Sequence, residues 1–213
     1  LSHSSAASDV YKRQVIACIG SPGATDYMEE FEGATIPAGW SSEILSGADD
    51  WTYGSGATPI GDDFNSNAVV FDDDAAGNGN TNALSLTSPA YDLSSADAAT
   101  LSYDVGFEEF GDQEFVVEAW DGAAWQQIAL YDAGLGGITA SGDIDVLPYA
   151  NANFQVRYTY DDFGGWGWYA GLDNFMLSVS TAPQPPLELA LNADGTLSIC
   201  LLYTSDAADE CDS

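Results

Sequence analysis

Positive charge is nearly missing from this sequence: three Lys and Arg residues and one His stand against 34 Asp and Glu, a formal net charge of −31 over 213 residues. A surface of that sign repels phosphate backbones and anionic headgroups, which excludes nucleic acid and anionic membrane surfaces as partners. No uninterrupted apolar run of about 18 residues occurs, so no helix of this stretch can span a bilayer. What is present is apolar in good measure, 46% hydrophobic with 12% aromatic. That is enough for a packed core and rules out a disordered acidic tail; the length suits one large all-β domain or two small ones.

Both ends read as foreign. Residues 4–14, SSAASDVYKRQ, and 200–210, CLLYTSDAADE, back-translate to opposite strands of a single transposase-type sequencing adapter. Residues 1–14 and 200–213 are therefore read as adapter-derived and set aside. His3, Lys12, Arg13, Cys200 and Cys211 fall in those ends. So do five of the 34 acids, Asp9, Asp206, Asp209, Glu210 and Asp212, leaving residues 15–199 with 29 acids, one cation (Arg157), one cysteine (Cys18) and a net charge of −28. Val15-Ile16-Ala17-Cys18 matches the end of a bacterial lipoprotein signal as well as an ordinary apolar stretch.

From Tyr27 onward short alternating apolar runs are separated by Gly, Asn, Asp, Ser and Pro, with no stretch of helical periodicity. The pattern predicts strands over 27–32, 41–45, 51–53, 68–72, 83–88, 100–107, 114–120, 125–131, 142–146, 154–160 and 172–179. Alternation puts Leu101, Tyr103 and Val105 on one face with Ser102 and Asp104 on the other, and Phe154, Val156, Tyr158 and Tyr160 repeat it. The runs at 114–120 and 125–131 flank Asp121-Gly122, a hairpin signal. Residues 61–82, rich in Asp, Asn and Gly, read as loop around one short strand, and 181–186 as a Pro-rich linker. This gives a lead-in at 15–26, an antiparallel all-β sandwich domain at 27–180, and a linker with the start of a next segment at 181–199.

Several stretches occur in a telling order: Phe31-Glu32-Gly33, Ile36-Pro37-Ala38-Gly39-Trp40, residues 86–94 (LTSPAYDLS), residues 99–104 (ATLSYD), Phe154-Gln155-Val156-Arg157-Tyr158, and residues 165–175 (GWGWYAGLDNF). The set resembles the MAM-like jelly-roll modules of secreted bacterial proteins, the choice-of-anchor J or cleaved-adhesin family, over roughly residues 29–180. The resemblance implies a jelly-roll β-sandwich acting as a non-catalytic module of a larger secreted or cell-surface protein. Its expected partners are a glycan, a cell-surface protein, or other domains of the parent chain.

Without His or Lys, residues 15–199 have no Ser-His-Asp triad, Cys-His pair, Schiff-base lysine or His-ligated zinc. Paired carboxylates remain, and Glu108, Glu109, Asp112 and Glu114 cluster at one turn. With so little Lys to dilute the acids, such a cluster arises by composition and reads as solvated surface. Calcium suits the chain better, since a hard cation takes carboxylate, amide and carbonyl oxygens. The resemblance implies a structural Ca2+ near the first and last strands, held by Glu32 and Asp173, with Asp72, Asp73, Asp74 and Asn78 as a separate loop possibility. Trp166 and Trp168 flank Gly167, so alternation sends both to one face. With Tyr169 they form the candidate ligand-binding group, the other aromatics being assigned to the core. Arg157 is expected to make a structural ion pair. The rival readings are a carbohydrate-binding module proper, marked by an exposed row of Trp side chains; a glycoside hydrolase fragment, marked by two carboxylates about 5–10 Å apart in a cleft; and a structural spacer with neither.

Overall fold

The computed structural model describes residues 23–182 in full and the strand backbones at 15–16, 187–191 and 197–201. Cys18, the Pro-rich residues 183–186 and most of the two adapter-like ends lie outside the described residues. The chain divides into two compact units, one of them Ala24–Thr181. In the other, β1 (Val15–Ile16), β14 (Leu187–Leu191) and β15 (Leu197–Leu201) form a small sheet in the order β1-β14-β15.

The larger unit is a two-sheet sandwich. Its strands are β2 (Gly23–Glu29), β3 (Ser41–Ser46), β4 (Thr52–Ser55), β5 (Ala68–Asp72), β6 (Ala83–Thr87), β7 (Ala98–Glu108), β8 (Glu114–Trp120), β9 (Trp125–Tyr131), β10 (Thr139–Ala140), β11 (Ile144–Asp145), β12 (Val156–Asp161) and β13 (Tyr169–Thr181). One sheet runs β10-β7-β13-β5-β4, with β11 also on β7 and β2 on β13; the other runs β3-β6-β12-β8-β9. Every pairing with a defined register is antiparallel. Because the chain passes repeatedly from sheet to sheet, neighbours within a sheet are seldom neighbours in sequence. This is the jelly-roll arrangement.

Alternation decides what lies between the sheets. From β7, Ala99, Leu101, Tyr103, Val105 and Phe107 point inward; they meet Phe115, Val117 and Ala119 of β8 and Val156, Tyr158 and Tyr160 of β12. The β8–β9 hairpin forms as its sequence predicts, Trp120 opposite Trp125. Gly122 sits at φ +95° in its turn, and the Asp121 carboxylate accepts from the amides of Ala123 and Ala124, both at 2.8 Å.

Strand β5 is buried along Ala68, Val69, Val70 and Phe71. The reason is a second, smaller cluster in which Phe64 packs with Ala68, Val70 and Tyr169. Phe64 lies over Gly106 of β7 and Gly171 of β13, which face each other across the ladder. A Cβ on Gly171 would stand 3.0 Å from the Phe64 ring and 2.9 Å from the Val69 carbonyl, so the absence of side chains at this pair makes the aromatic cover possible.

Several of the expected elements shift. The first strand starts earlier than 27–32 and ends at Glu29, because Phe31 adopts φ +48° and its amide binds the Glu29 carboxylate at 2.9 Å. The strand expected at 51–53 occupies Thr52–Ser55. The strand expected at 142–146 shortens to β11, and β10, which was not expected, adds a second short strand to the same edge of β7. Within the expected loop 61–82, a one-turn helix α1 (Asp73–Ala76) follows β5, capped by the Asp72 carboxylate on the Ala75 amide at 2.9 Å.

Candidate functional site

Register brings three segments to one end of the sandwich. Tyr169 pairs with both Asp72 and Glu108, and Asp161 pairs with both Ala83 and Glu114. The β5–β6 connection with α1, the β7–β8 loop at 109–113 and the β12–β13 loop at 162–168 therefore share a rim.

The last two loops carry aromatics turned toward solvent. Phe110 and Phe163 are 64% and 59% exposed. The Phe110 ring packs against Trp166 (5.4 Å between centroids) and Trp168 (6.2 Å), and the two tryptophans lie 6.1 Å apart, on one side as alternation predicts. Phe110, Phe163 and Trp166 line a cleft of about 370 Å³ together with Asn78, Asp112, Gln113, Asp162 and the glycines at 111, 164 and 165.

Buried polar side chains fasten these loops beside each ring. Gln113, 2% exposed, accepts the Phe110 amide at 2.8 Å. Asp162, 1% exposed, accepts the amides of Gly164 at 2.7 Å and Asn82 at 2.9 Å. The buried Asp73 carboxylate accepts the amide of Gly167, between the two tryptophans, and the Asn82 Nδ2 group at 3.0 Å. The exposed Phe163 sits at φ +49°, its amide held by the Asp161 carboxylate at 2.7 Å. The rings thus stand on a hydrogen-bonded frame rather than on free loops, which lowers the entropy lost when a ligand is bound.

Electrostatics mark the same frame. Burial raises the Asp73 pKa from its ordinary 3.8, and the nearby Asp162 adds to the rise, while the bonds from Gly167 and Asn82 oppose it. The Tyr160 hydroxyl faces this carboxylate; burial first and Asp73 second push its ionisation upward. Gly167 is required here by close approach, since a Cβ would stand 2.6 Å from that hydroxyl.

The residues singled out in sequence divide. Trp166 and Trp168 reach the rim, but Tyr169 is fully buried in the cluster under Phe64, so it is corrected to a core residue. Asp72 caps α1 and lines a different, smaller cleft with Asp49 and Asp50; Asp73 turns into the rim frame; Asn78 lines the rim cleft. Glu32 and Asp173 fall on one patch through the adjacent residues Ser66 and Asn67, Ser66 Oγ donating to the Asp173 carboxylate and Asn67 Nδ2 to the Glu32 carbonyl at 2.8 Å. Asp173 is 1% exposed, beside a bulge in β13 where Asn174 sits at φ +51°. Its pKa is raised by burial, with Asp104 and Glu32 contributing; bonds from Ser66 Oγ (2.9 Å) and the Asn174 amide (2.7 Å) act the other way. Among the described residues no three carboxylates converge as a preformed cation site.

Phe110, Phe163 and Gln113 were not singled out from sequence. The available signal was the pairing of Phe110 and Phe163 with Asp, Glu and Gly, a context in which a large aromatic has no strand to bury it. Arg157, the lone cation of the described residues, makes its ion pair with Glu118 at 2.7 Å and lies 4.4 Å over the Trp125 ring on the outer face of the five-stranded sheet.

The fold is shared with a cleaved adhesin domain. The K1 cleaved adhesin domain of Lys-gingipain from Porphyromonas gingivalis W83 superposes with a TM-score of 0.52 at 19% identity, over 72% of this chain and 97% of that domain. Looser likenesses are to a family 29 carbohydrate-binding module (TM-score 0.46, 14% identity, 73% of this chain and 92% of that one) and to TmCBM61 in complex with β-1,4-galactotriose (0.47, 12%, 66% and 88%). At these identities the likeness concerns fold alone. No protein-family model matches the chain, and no curated protein matches it closely enough to count.

Proposed function

We propose that this chain is a non-catalytic binding module of a larger secreted or cell-surface protein, taking a glycan on the aromatic rim. The observation that carries this reading is the exposure of Phe110 and Phe163 beside Trp166, on loops fastened by Gln113, Asp162 and Asp73. Large apolar rings held in solvent by buried polar groups stabilise the fold little, whereas they offer flat faces to the C–H surfaces of a pyranose. The adhesin name of the structural neighbour agrees with an attachment role. Reaction chemistry has weak support, since residues 15–199 contain no His or Lys and the buried rim carboxylates are occupied by backbone amides. A glycan array probed with wild type and with the F110A/F163A double variant tests this. Binding lost in the variant, with thermal stability kept, is the expected outcome; identical array profiles would contradict it.

The same reading includes a calcium ion at the Glu32–Asp173 patch. The donors there are hard oxygens, the buried Asp173 carboxylate, whose pKa the charges of Asp104 and Glu32 help to raise, and the Glu32 carbonyl, which accepts from Asn67 Nδ2 at 2.8 Å. An ion bound only by the folded form adds about 2.7 kcal/mol at a hundredfold excess over its Kd. Millimolar calcium is therefore expected to raise the melting temperature over that in EDTA, by several degrees, and D173N should abolish the rise. An unchanged wild-type melting temperature would remove calcium from the account.

A further inference from the structure

Charge around the rim narrows the ligand class. Asp112 and Asp162 line the cleft together with the rings, and Asp161 holds the Phe163 amide. Asp162 is 1% exposed, so its field is less damped by water than that of a surface carboxylate. No cation lines this cleft among the described residues, and Arg157 is paired to Glu118 on the outer sheet face. A glycan bearing carboxylate or sulfate would enter this negative field unpaired. A neutral one would leave the field unused.

Resting on the glycan reading above, we propose that the rim selects glycans with free amino groups, polymers of unacetylated hexosamine, over their N-acetylated and anionic counterparts. The ring faces of Phe110, Phe163 and Trp166 take the apolar side of the sugar, and an ammonium is favoured twice, by the quadrupole of an aromatic face and by the carboxylate at Asp112. Neither term is available to an acetamide, which carries no charge. The remaining surface charge raises the local concentration of the cationic chain before it docks.

The test is calorimetric titration with short glucosamine oligomers, N-acetylglucosamine oligomers of equal length, and oligomers of a uronic acid. The titrations use mildly acidic buffer, where the amine is protonated, at low and at high salt. The expected result is binding of the glucosamine oligomer at least about tenfold tighter than the acetylated one, a difference near 1.4 kcal/mol. It should weaken as salt is added, fall severalfold in D112N, and be absent for the uronic acid. The F110A/F163A variant keeps the net charge and loses only exposed rings, so it separates docking at the rim from adsorption to an acidic surface. Glucosamine binding that survives in that variant overturns the proposal as mere adsorption. Acetylated oligomers binding as tightly, and lost in the variant, overturn the charge selection while leaving the glycan reading intact. If none of the three oligomers binds, the amino-sugar selection falls, and the glycan reading is then decided by the array alone.

Discussion

Phe115→Ala is expected to lower the unfolding free energy by about 3–5 kcal/mol, among the largest effects available to a single substitution in this domain. Phe115 is fully buried, and its ring meets Trp51 at 6.1 Å, Phe107 at 6.5 Å, Tyr131 at 6.1 Å and Tyr158 at 6.2 Å. Phe107 belongs to the seven-stranded sheet and Phe115 to the other, so the void would open where the two sheets meet and neither could close it without losing register. Phe110→Ala removes the same atoms from a ring that is 64% exposed and should change stability by less than about 0.5 kcal/mol. Urea titration of the two variants gives the comparison. Equal losses would mean that the sheets do not enclose a common core.

A second large effect is expected from Asp73→Asn, although the side chain keeps its shape. Both carboxylate oxygens of Asp73 face donors, the Gly167 amide on one side and Asn82 Nδ2 on the other. An amide side chain can offer an acceptor to only one of them and must aim its own NH2 at the other. A buried donor left in that state costs about 1–3 kcal/mol. The same change should loosen the turn that sets Trp166 and Trp168, so rim affinity falls with stability. The pH dependence has an unusual sign. Asp73 holds its proton more tightly in the folded chain than in the unfolded one, chiefly through burial. Its stabilising contribution is therefore complete below the ordinary value of 3.8 and is lost as pH rises through the elevated folded value. In EDTA, the stability gap between wild type and D73N should widen as pH falls from 7 toward that window. A gap that narrows on acidification would show that Asp73 is not penalised by burial.

The fold was legible because burial between two sheets imposes a period of two. Strands β5, β8 and β9 begin and end where alternation and the Asp-Gly turn place them. Legibility failed where local backbone chemistry overrode the pattern, as at Phe31, whose positive φ ends β2 before Glu32. At the rim, alternation placed Trp166 and Trp168 together, but adding Tyr169 to them extended the group one residue too far. Tyr169 already belongs to β13, where the opposite face is covered by Phe64, a residue 105 positions earlier that no local pattern connects to it. The acidic, Gly-rich context of Phe110 and Phe163 signalled exposure, but not their place on one rim, which depends on Gln113, Asp161 and Asp162 turning their side chains onto loop amides. The acidic run 72–74 looked like one feature and is three: a helix cap, a buried acceptor and a partly exposed carboxylate.

The most direct test of the rim as binding surface is an amide chemical-shift titration of the folded domain with a glucosamine oligomer. The expected perturbations concentrate at residues 109–113 and 162–168, with Gly164 and Gly167 among the largest. Shifts centred instead on Trp120, Trp125 and Arg157, across the outer face of the five-stranded sheet, would contradict the account and move the binding surface there.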